Sequence, residues 1–181
     1  MFIQTEDTPN PATLKFIPGQ TVMPSGTIDF SSVDGAARSP LARRLFAVEG
    51  VARVFFGSDF ITVTKAAGTE WHVMKPALLG AIMEHFTSGQ PALPAAESDS
   101  HAQGGDSEIV TQIKELLDTR VRPAVAQDGG DILFDRFEDG VVYLEMRGSC
   151  SGCPSSLATL KSGVENMLRH YIPEVNEVRA V

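Results

Sequence analysis

The sequence predicts an α+β protein of two small domains joined by a flexible linker. Segments with alternating apolar residues, typical of strands, are interspersed with segments whose apolar residues recur at helical spacing. Between the two groups, residues 88–107 contain no aromatic or β-branched residue and are rich in Pro, Gly, Ser and Ala. Such a segment buries too little apolar surface to order itself. The predicted domains therefore span residues 1–87 and 108–181.

The first domain is predicted to have the order strand, strand, helix, strand, strand, helix. Ser39 and Pro40 are typical of a helix start, because Ser caps the helix and Pro suits its first position. A longer helix from Trp71 carries apolar residues at helical spacing as far as Phe86. The four strands are predicted at residues 14–17, 27–30, 51–56 and 60–64, with the last two forming a hairpin around Gly57-Ser58-Asp59.

The second domain is predicted to have the order helix, strand, strand, helix, strand. Helical spacing between Ile109 and Val121 predicts its first helix, which begins at Asp106 or Ser107. Pro154 begins the second helix. The strands are predicted at residues 132–137, 141–146 and 175–181, and Glu138-Asp139-Gly140 is a hairpin signal between the first two. We interpret this domain as an antiparallel hairpin without the parallel βαβ order of a thioredoxin-like fold.

Charge and hydropathy exclude two classes of partner. The formal net charge of the 181 residues is -8 and the pI is about 4.9. Nucleic-acid binding requires clustered Lys and Arg, so we expect no nucleic-acid partner. No apolar run approaches the roughly 18 residues of a membrane span, so we expect no membrane association. The first residues resemble neither a secretory signal nor a transit peptide. We expect a bacterial cytoplasmic protein, or one of the mitochondrial matrix if the chain is a processed eukaryotic form.

The chemistry of the chain is expected at Cys150 and Cys153, its two cysteines. They lie in the run Gly148-Ser149-Cys150-Ser151-Gly152-Cys153-Pro154, between a predicted strand and a predicted helix. The glycines allow backbone conformations that could point both sulfurs the same way. A position beside the helix N-terminus lowers the pKa of the Cys153 thiol, because the helix dipole favours the thiolate.

The number of cysteines leaves the kind of chemistry open. Iron–sulfur clusters and closed zinc sites usually require about four protein ligands, of which one chain supplies two. Either the pair acts alone as a redox dithiol, or two chains combine their thiolates around a cluster or a zinc ion. Two buried thiols without chemistry are a further interpretation. The Ser151-Gly152 spacer and the missing βαβ order argue against a thioredoxin-like enzyme.

Other polar residues are weaker candidates. The four histidines (His72, His85, His101 and His170) lie far from the cysteines in the sequence, and we assign them no ligand role. Asp128-Gly129-Gly130-Asp131 lacks the ligand run of a calcium site and is interpreted as a turn with glycines at positive φ.

The cysteine motif resembles the C-terminal domain of NifU-like iron–sulfur scaffold and carrier proteins. The resemblance includes Ser155-Ser156 after the motif and, before it, Val121-Arg122-Pro123 and Asp128-Gly129-Gly130-Asp131. Two runs in the first half resemble the N-terminal Nfu-type domain of the same proteins: Gln4-Thr5-Glu6-Asp7-Thr8-Pro9-Asn10-Pro11 and Phe55-Phe56-Gly57-Ser58-Asp59-Phe60.

The resemblance implies a non-catalytic scaffold and carrier. In such proteins Cys150 and Cys153 of each of two subunits would bind one labile 4Fe–4S cluster, so the loaded form is a homodimer. The implied partners are upstream cluster-assembly proteins and the apo-proteins that receive the cluster. The resemblance implies no chemistry for the first domain. The alternative is a monomeric thiol–disulfide oxidoreductase that uses the same pair.

Overall fold

The computed structural model describes residues 2–24, 26–93, 107–148 and 154–181, and the side chains of residues 154–157 lie outside the description. The chain divides into two compact units, Met1–Ser100 and His101–Val181. Each unit combines helices with a sheet, and the predicted α+β class is confirmed.

The first unit is built on a five-stranded antiparallel sheet. Its strand order is β1-β2-β5-β4-β3. The strands are β1 (Gln4–Asp7), β2 (Thr13–Ile17), β3 (Ile28–Phe30), β4 (Val51–Phe56) and β5 (Ile61–Lys65). The helices are α1 (Val33–Ala36), α2 (Pro40–Phe46) and α3 (Trp71–Ser88).

The core of the first unit lies between this sheet and its helices. Its largest fully buried side chains include Phe16, Phe30, Phe56, Leu41, Leu45, Leu78 and Ile82. The helix start at Ser39 is confirmed, since the Ser39 hydroxyl accepts a hydrogen bond from the Ala42 N–H and Pro40 is the first helical residue.

Two elements of the first unit were not predicted. Strand β1 is polar and largely exposed at the edge of the sheet, so its sequence has no apolar alternation. Helix α1 is a single turn capped by Ser32, too short for helical spacing to reveal it. The predicted order ββαββα therefore lacks one strand and one helix.

The predicted linker begins too early. Helix α3 continues to Ser88, where Gly89 ends it in the left-handed conformation. Ala92 and Leu93 are then buried in the first core, and the Ala92 carbonyl accepts a hydrogen bond from the Ser39 hydroxyl. Residues 88–93 thus belong to the first unit, while residues 94–106 lie outside the described residues.

The second unit is built on a three-stranded sheet of order β6-β7-β8. The strands are β6 (Gly130–Glu138), β7 (Val141–Gly148) and β8 (Glu177–Ala180). The helices are α4 (Glu108–Leu116), α5 (Arg122–Gln127) and α6 (Pro154–Tyr171), with a π-helical turn, Leu117–Val121, between α4 and α5. Its core includes Ile113, Leu117, Ile132, Leu144, Leu168 and Val178.

The β6–β7 hairpin confirms the predicted turn. Its two loop residues, Asp139 and Gly140, have φ values of 49° and 78°. A type I′ hairpin turn requires positive φ at both positions, and Asp-Gly is one of its preferred pairs. The start of α4 is also confirmed, because the Ser107 side chain accepts a hydrogen bond from the Val110 N–H.

The interpretation that this domain has no parallel βαβ order is wrong. Strand β7 pairs antiparallel with β6 but parallel with β8, and α6 connects the two parallel strands. The pairing joins Val142 to Val178, residues far apart in the sequence, so no local pattern could reveal its direction. One of the two arguments against a thioredoxin-like site therefore fails.

None of the helices among the described residues combines the length and the apolar character needed to cross a membrane.

Candidate functional site

The predicted ligands Cys150 and Cys153 lie outside the described residues, within the connection 149–153. The elements on either side of this connection are described. Strand β7 ends at Gly148 and helix α6 begins at Pro154. The connection therefore joins a strand end to a helix start, as the sequence predicted.

The two motifs of the second unit meet at the end of the β6–β7 ladder. The register pairs Gly130 with Gly148 and Asp131 with Arg147. Gly148 has a φ of 69° and Gly129 a φ of 81°, a region that side chains disfavour. The predicted turn is thus confirmed at Asp128 and Gly129 only, because Gly130 and Asp131 already belong to β6 and, of the two glycines, only Gly129 has a positive φ. This turn lies beside the strand end that precedes the cysteine motif.

An ion-pair network holds this end of the sheet. The Arg122 guanidinium donates two hydrogen bonds to the Asp131 carboxylate, with Nε–Oδ1 at 2.9 Å and Nη2–Oδ2 at 3.0 Å. Its Nη1 also donates to Oδ1 of Asp118 at 3.0 Å. The hydrogen bonds to Asp131 raise the pKa of Arg122 above its ordinary value, and Asp118 adds to this shift. Arg122 is therefore positively charged at neutral pH.

The burial of Asp131 gives the network its strength. Its side chain is only 5% exposed, whereas that of Asp118 is 59% exposed. The Oδ1 atom of Asp131 also accepts a hydrogen bond from the Ile132 N–H at 2.8 Å. A buried carboxylate is costly unless it is paired and hydrogen-bonded, so the contacts with Arg122 stabilise Asp131.

The π-helical turn brings Arg122 to this position. The Arg122 N–H bonds to the Leu117 carbonyl, five residues back, instead of four as in an α-helix. The next residue, Pro123, has no N–H to donate and suits the first turn of α5. The wider turn thus ends α4 and starts a new helix whose first residue reaches Asp131.

A second guanidinium lies on the opposite strand. Arg147, the register partner of Asp131, has a side chain only 9% exposed. Its Nε donates to Oε1 of Glu145 at 3.0 Å, and Glu145 is 43% exposed. Two arginines therefore lie close to the strand end that precedes the cysteines, and both are paired with carboxylates.

The described residues offer no ready-made metal site of their own. Among residues 2–24, 26–93, 107–148 and 154–181, no group of three or more His, Cys, Asp or Glu side chains is arranged to hold a metal ion. His72 is exposed on α3, His85 is buried in the first unit, and His170 lies edge-on to Tyr171 on α6. His101 lies outside the described residues.

Sequence reasoning missed the Arg122–Asp131 pair, although both residues belong to the motifs that carry the resemblance. The spacing of four between Asp118 and Arg122 is a helical ion-pair signal and could have indicated half of the network. The contact with Asp131 crosses from a helix to a strand, and only the fold reveals it.

In comparisons with known proteins, each half of the chain matches a family model. A family model described as the Nfu/NifU scaffold protein N terminus matches residues 3–89, and one described as a NifU-like domain matches residues 113–179. The whole chain is 54% identical over 186 residues to the human NFU1 iron-sulfur cluster scaffold homolog, mitochondrial, and spans 72% of it. It is 56% identical over 184 residues to the Drosophila willistoni protein of the same name, and spans 64% of it.

A solved structure is also similar. The solution NMR structure of a NifU-like protein from Saccharomyces cerevisiae matches with a TM-score of 0.48 and 26% sequence identity. The match covers 54% of this chain and 87% of the yeast one.

Proposed function

The chain belongs to the Nfu family of iron–sulfur cluster scaffold proteins, and on this premise we propose that it carries a labile 4Fe–4S cluster between two subunits. Each subunit supplies Cys150 and Cys153. The observation that carries the proposal is the place of these cysteines. They are the only two in the chain, and they lie within the NifU-like match, between β7 and α6.

The ligand count supports a shared cluster. A 4Fe–4S cluster is usually held by about four cysteine thiolates, and one chain has two cysteines. A symmetric pair of chains presents the same surface twice and so completes the set. The start of α6 supports thiolate at this position, because unpaired N–H groups and the dipole of a helix N-terminus favour negative charge.

Delivery follows from ligand exchange. A thiol of the apo-protein loses its proton and bonds to iron as a thiolate, while the Fe–Sγ bond of Cys150 breaks and the departing thiolate takes up a proton. No electron is transferred in this step. The partners are therefore apo-proteins with free cysteines and upstream proteins that assemble the cluster. The cluster is cargo, and we propose no catalytic turnover.

The compartment is a separate proposal. The two relatives described above are named mitochondrial, which supports the matrix as the location of this chain. The expectation of a bacterial cytoplasm has no such support.

Anaerobic loading with iron and sulfide tests the proposal. The wild-type chain should bind about four iron and four sulfide per dimer, and sedimentation should give the mass of two chains. Cys150→Ala should bind no cluster. Ser151→Ala, changed within the same connection but without loss of a thiolate, should load like the wild type. A normally loaded Cys150→Ala variant would show that the proposal is wrong.

One observation favours the alternative, a monomeric thiol–disulfide oxidoreductase. The parallel β7–α6–β8 unit places a strand before the CxxC motif and a helix after it, which is also the order around a thioredoxin-like pair. This alternative predicts that metal-free monomers reduce disulfide substrates and have a measurable dithiol potential. Zinc in an aerobic preparation does not discriminate, because the same thiolates bind it readily.

A further inference from the structure

The last cross-strand pair before the cysteine connection consists of two glycines. Gly130 lies opposite Gly148, two residues before Cys150. Opposing side chains are the main source of stabilisation between paired strands, and this pair has none. The nearest pair with side chains is Asp131 and Arg147. Asp131 and Arg147 are therefore the cross-strand side chains nearest to this strand end.

Asp131 is held from outside the sheet. Strand β6 is an edge strand, so a second strand lies on one side of it only. Arg122, at the start of α5, contacts both carboxylate oxygens of Asp131. Such bidentate pairs fix the relative orientation of the two groups as well as their distance. Arg122 thus connects the helical layer to the end of the β6–β7 ladder.

We infer that Arg122 is a positioning residue for the cluster: its two hydrogen bonds to Asp131 hold the strand end from which the cysteine connection leaves. The inference rests on the proposed function. Groups that orient metal ligands without touching the metal commonly change metal affinity about 10–100-fold when they are removed. The π-helical turn is a second, independent observation, because such turns recur at functional sites and this one places Arg122.

The first unit contains a matched pair that controls for the loss of an equivalent ion pair elsewhere in the chain, and the cluster spectra distinguish positioning from a loss of stability in the second unit. Arg53 contacts Asp29 through Nε at 2.7 and 3.0 Å and through Nη2 at 2.7 Å. The side chains of Arg53 and Asp29 are 34% and 8% exposed, against 30% and 5% for Arg122 and Asp131. The two pairs are therefore alike in geometry and burial, but the Arg53 pair belongs to the unit without cysteines.

The test compares Arg122→Lys with Arg53→Lys in the full chain. Lysine keeps the charge but loses the planar fork that binds both carboxylate oxygens. Both variants and the wild type are loaded anaerobically, and iron release to a ferrous chelator is followed together with the visible and electron paramagnetic resonance spectra. Thermal unfolding of the metal-free proteins is measured in parallel.

We expect Arg122→Lys to release iron about tenfold faster than the wild type, with altered cluster spectra. Arg53→Lys should release iron at the wild-type rate, although both variants should unfold at lower temperature. Equal iron release from the two variants, or unchanged spectra for Arg122→Lys, would overturn the inference.

A milder variant covers the case in which Arg122→Lys does not fold. Asp118 is exposed and accepts only the third hydrogen bond of the Arg122 guanidinium. Asp118→Asn should therefore fold and release iron about twofold faster than the wild type. A wild-type rate for this variant would overturn the inference in that case. The proposed function fails separately, if Cys150→Ala loads normally. The inference alone fails if Cys150→Ala is empty and Arg122→Lys behaves like the wild type, or if Arg122→Lys does not fold and Asp118→Asn behaves like the wild type.

Discussion

His85 is a fully buried histidine whose two ring nitrogens have no hydrogen-bond partner among the described residues. It lies on α3, with its ring edge-on to Phe86 at a centroid distance of 5.4 Å. Burial lowers the pKa of His85, and the positive charge of Arg44 lowers it further. The nearby backbone of Gln90 partly offsets this decrease. The imidazole is therefore held neutral in the folded first unit.

This burial predicts a pH dependence of stability. The unfolded chain binds a proton at His85 below about pH 6.5, where the folded chain does not. Protonation thus favours unfolding, and the stability present above about pH 6.5 is lost as the pH falls. His85→Leu should remove this component and raise the free energy of unfolding at neutral pH by about 1 kcal/mol, because no buried polar group is left unpaired.

Urea unfolding at neutral and mildly acidic pH, followed by the fluorescence of Trp71, measures the effect. Trp71 is the only tryptophan and packs against the hydrophobic core of the unit in which His85 is buried. His72→Leu, an exposed position on the same helix, is the control and should keep the wild-type pH dependence. The same loss of stability in acid for His85→Leu and wild type would contradict the assignment.

At the level of elements, local patterns predicted what local interactions determine. Ser39-Pro40, Ser107 and Asp139-Gly140 were identified because caps and tight turns depend on a few adjacent residues. The parallel pairing of β8 was missed because it depends on a contact between distant segments. The polar edge strand β1 was missed because it buries little apolar surface, and strand prediction depends on that surface.

The candidate site shows the same division. The cysteine pair was predicted from spacing, since the ligand chemistry of thiolates is a property of the residues themselves. The Arg122–Asp131 pair could not be predicted, since its two hydrogen bonds form between a helix start and a strand. Sequence therefore predicts the ligand residues, and the fold is needed to identify the ion pair near the strand end that precedes them.

Gly140 is the turn residue on which the parallel strand depends. Its carbonyl accepts hydrogen bonds from the Asn176 N–H at 2.7 Å and the Glu177 N–H at 3.3 Å, where β8 begins. A Cβ atom at this position would clash with the Asn176 side chain. Gly140 also has a φ of 78°, in the left-handed region. Its conformation therefore favours glycine, and a Cβ atom here would also force the Asn176 side chain to move.

Gly140→Ala should destabilise the second unit by about 3 kcal/mol, the sum of the left-handed conformation and the clash. Gly68→Ala is the matched control. Its φ is 84° and a Cβ would meet nothing within 4 Å, so it should cost only about 1–2 kcal/mol. Differential scanning calorimetry measures both variants. Equal costs would show that the contact with Asn176 contributes nothing.

At the level of the whole molecule, the two units have separate cores and different optical probes. Trp71 lies in the first unit, and the two tyrosines, Tyr143 and Tyr171, lie in the second. Both cysteines belong to the second unit as well. A ligand that binds only the folded form of one unit stabilises that unit by mass action. The proposed cluster should therefore affect the two thermal transitions unequally.

Loading with iron and sulfide should raise the melting temperature of the second unit by roughly 10 °C when the cluster is bound about a hundredfold above its dissociation constant. The melting temperature reported by Trp71 fluorescence should not change. The loss of cluster absorbance should coincide with the calorimetric transition of the second unit. Cys150→Ala, treated in the same way, should show neither shift. If the Trp71 transition moves as far as the second one, the first unit also takes part in binding, and the assignment of the cargo to the second unit alone is wrong.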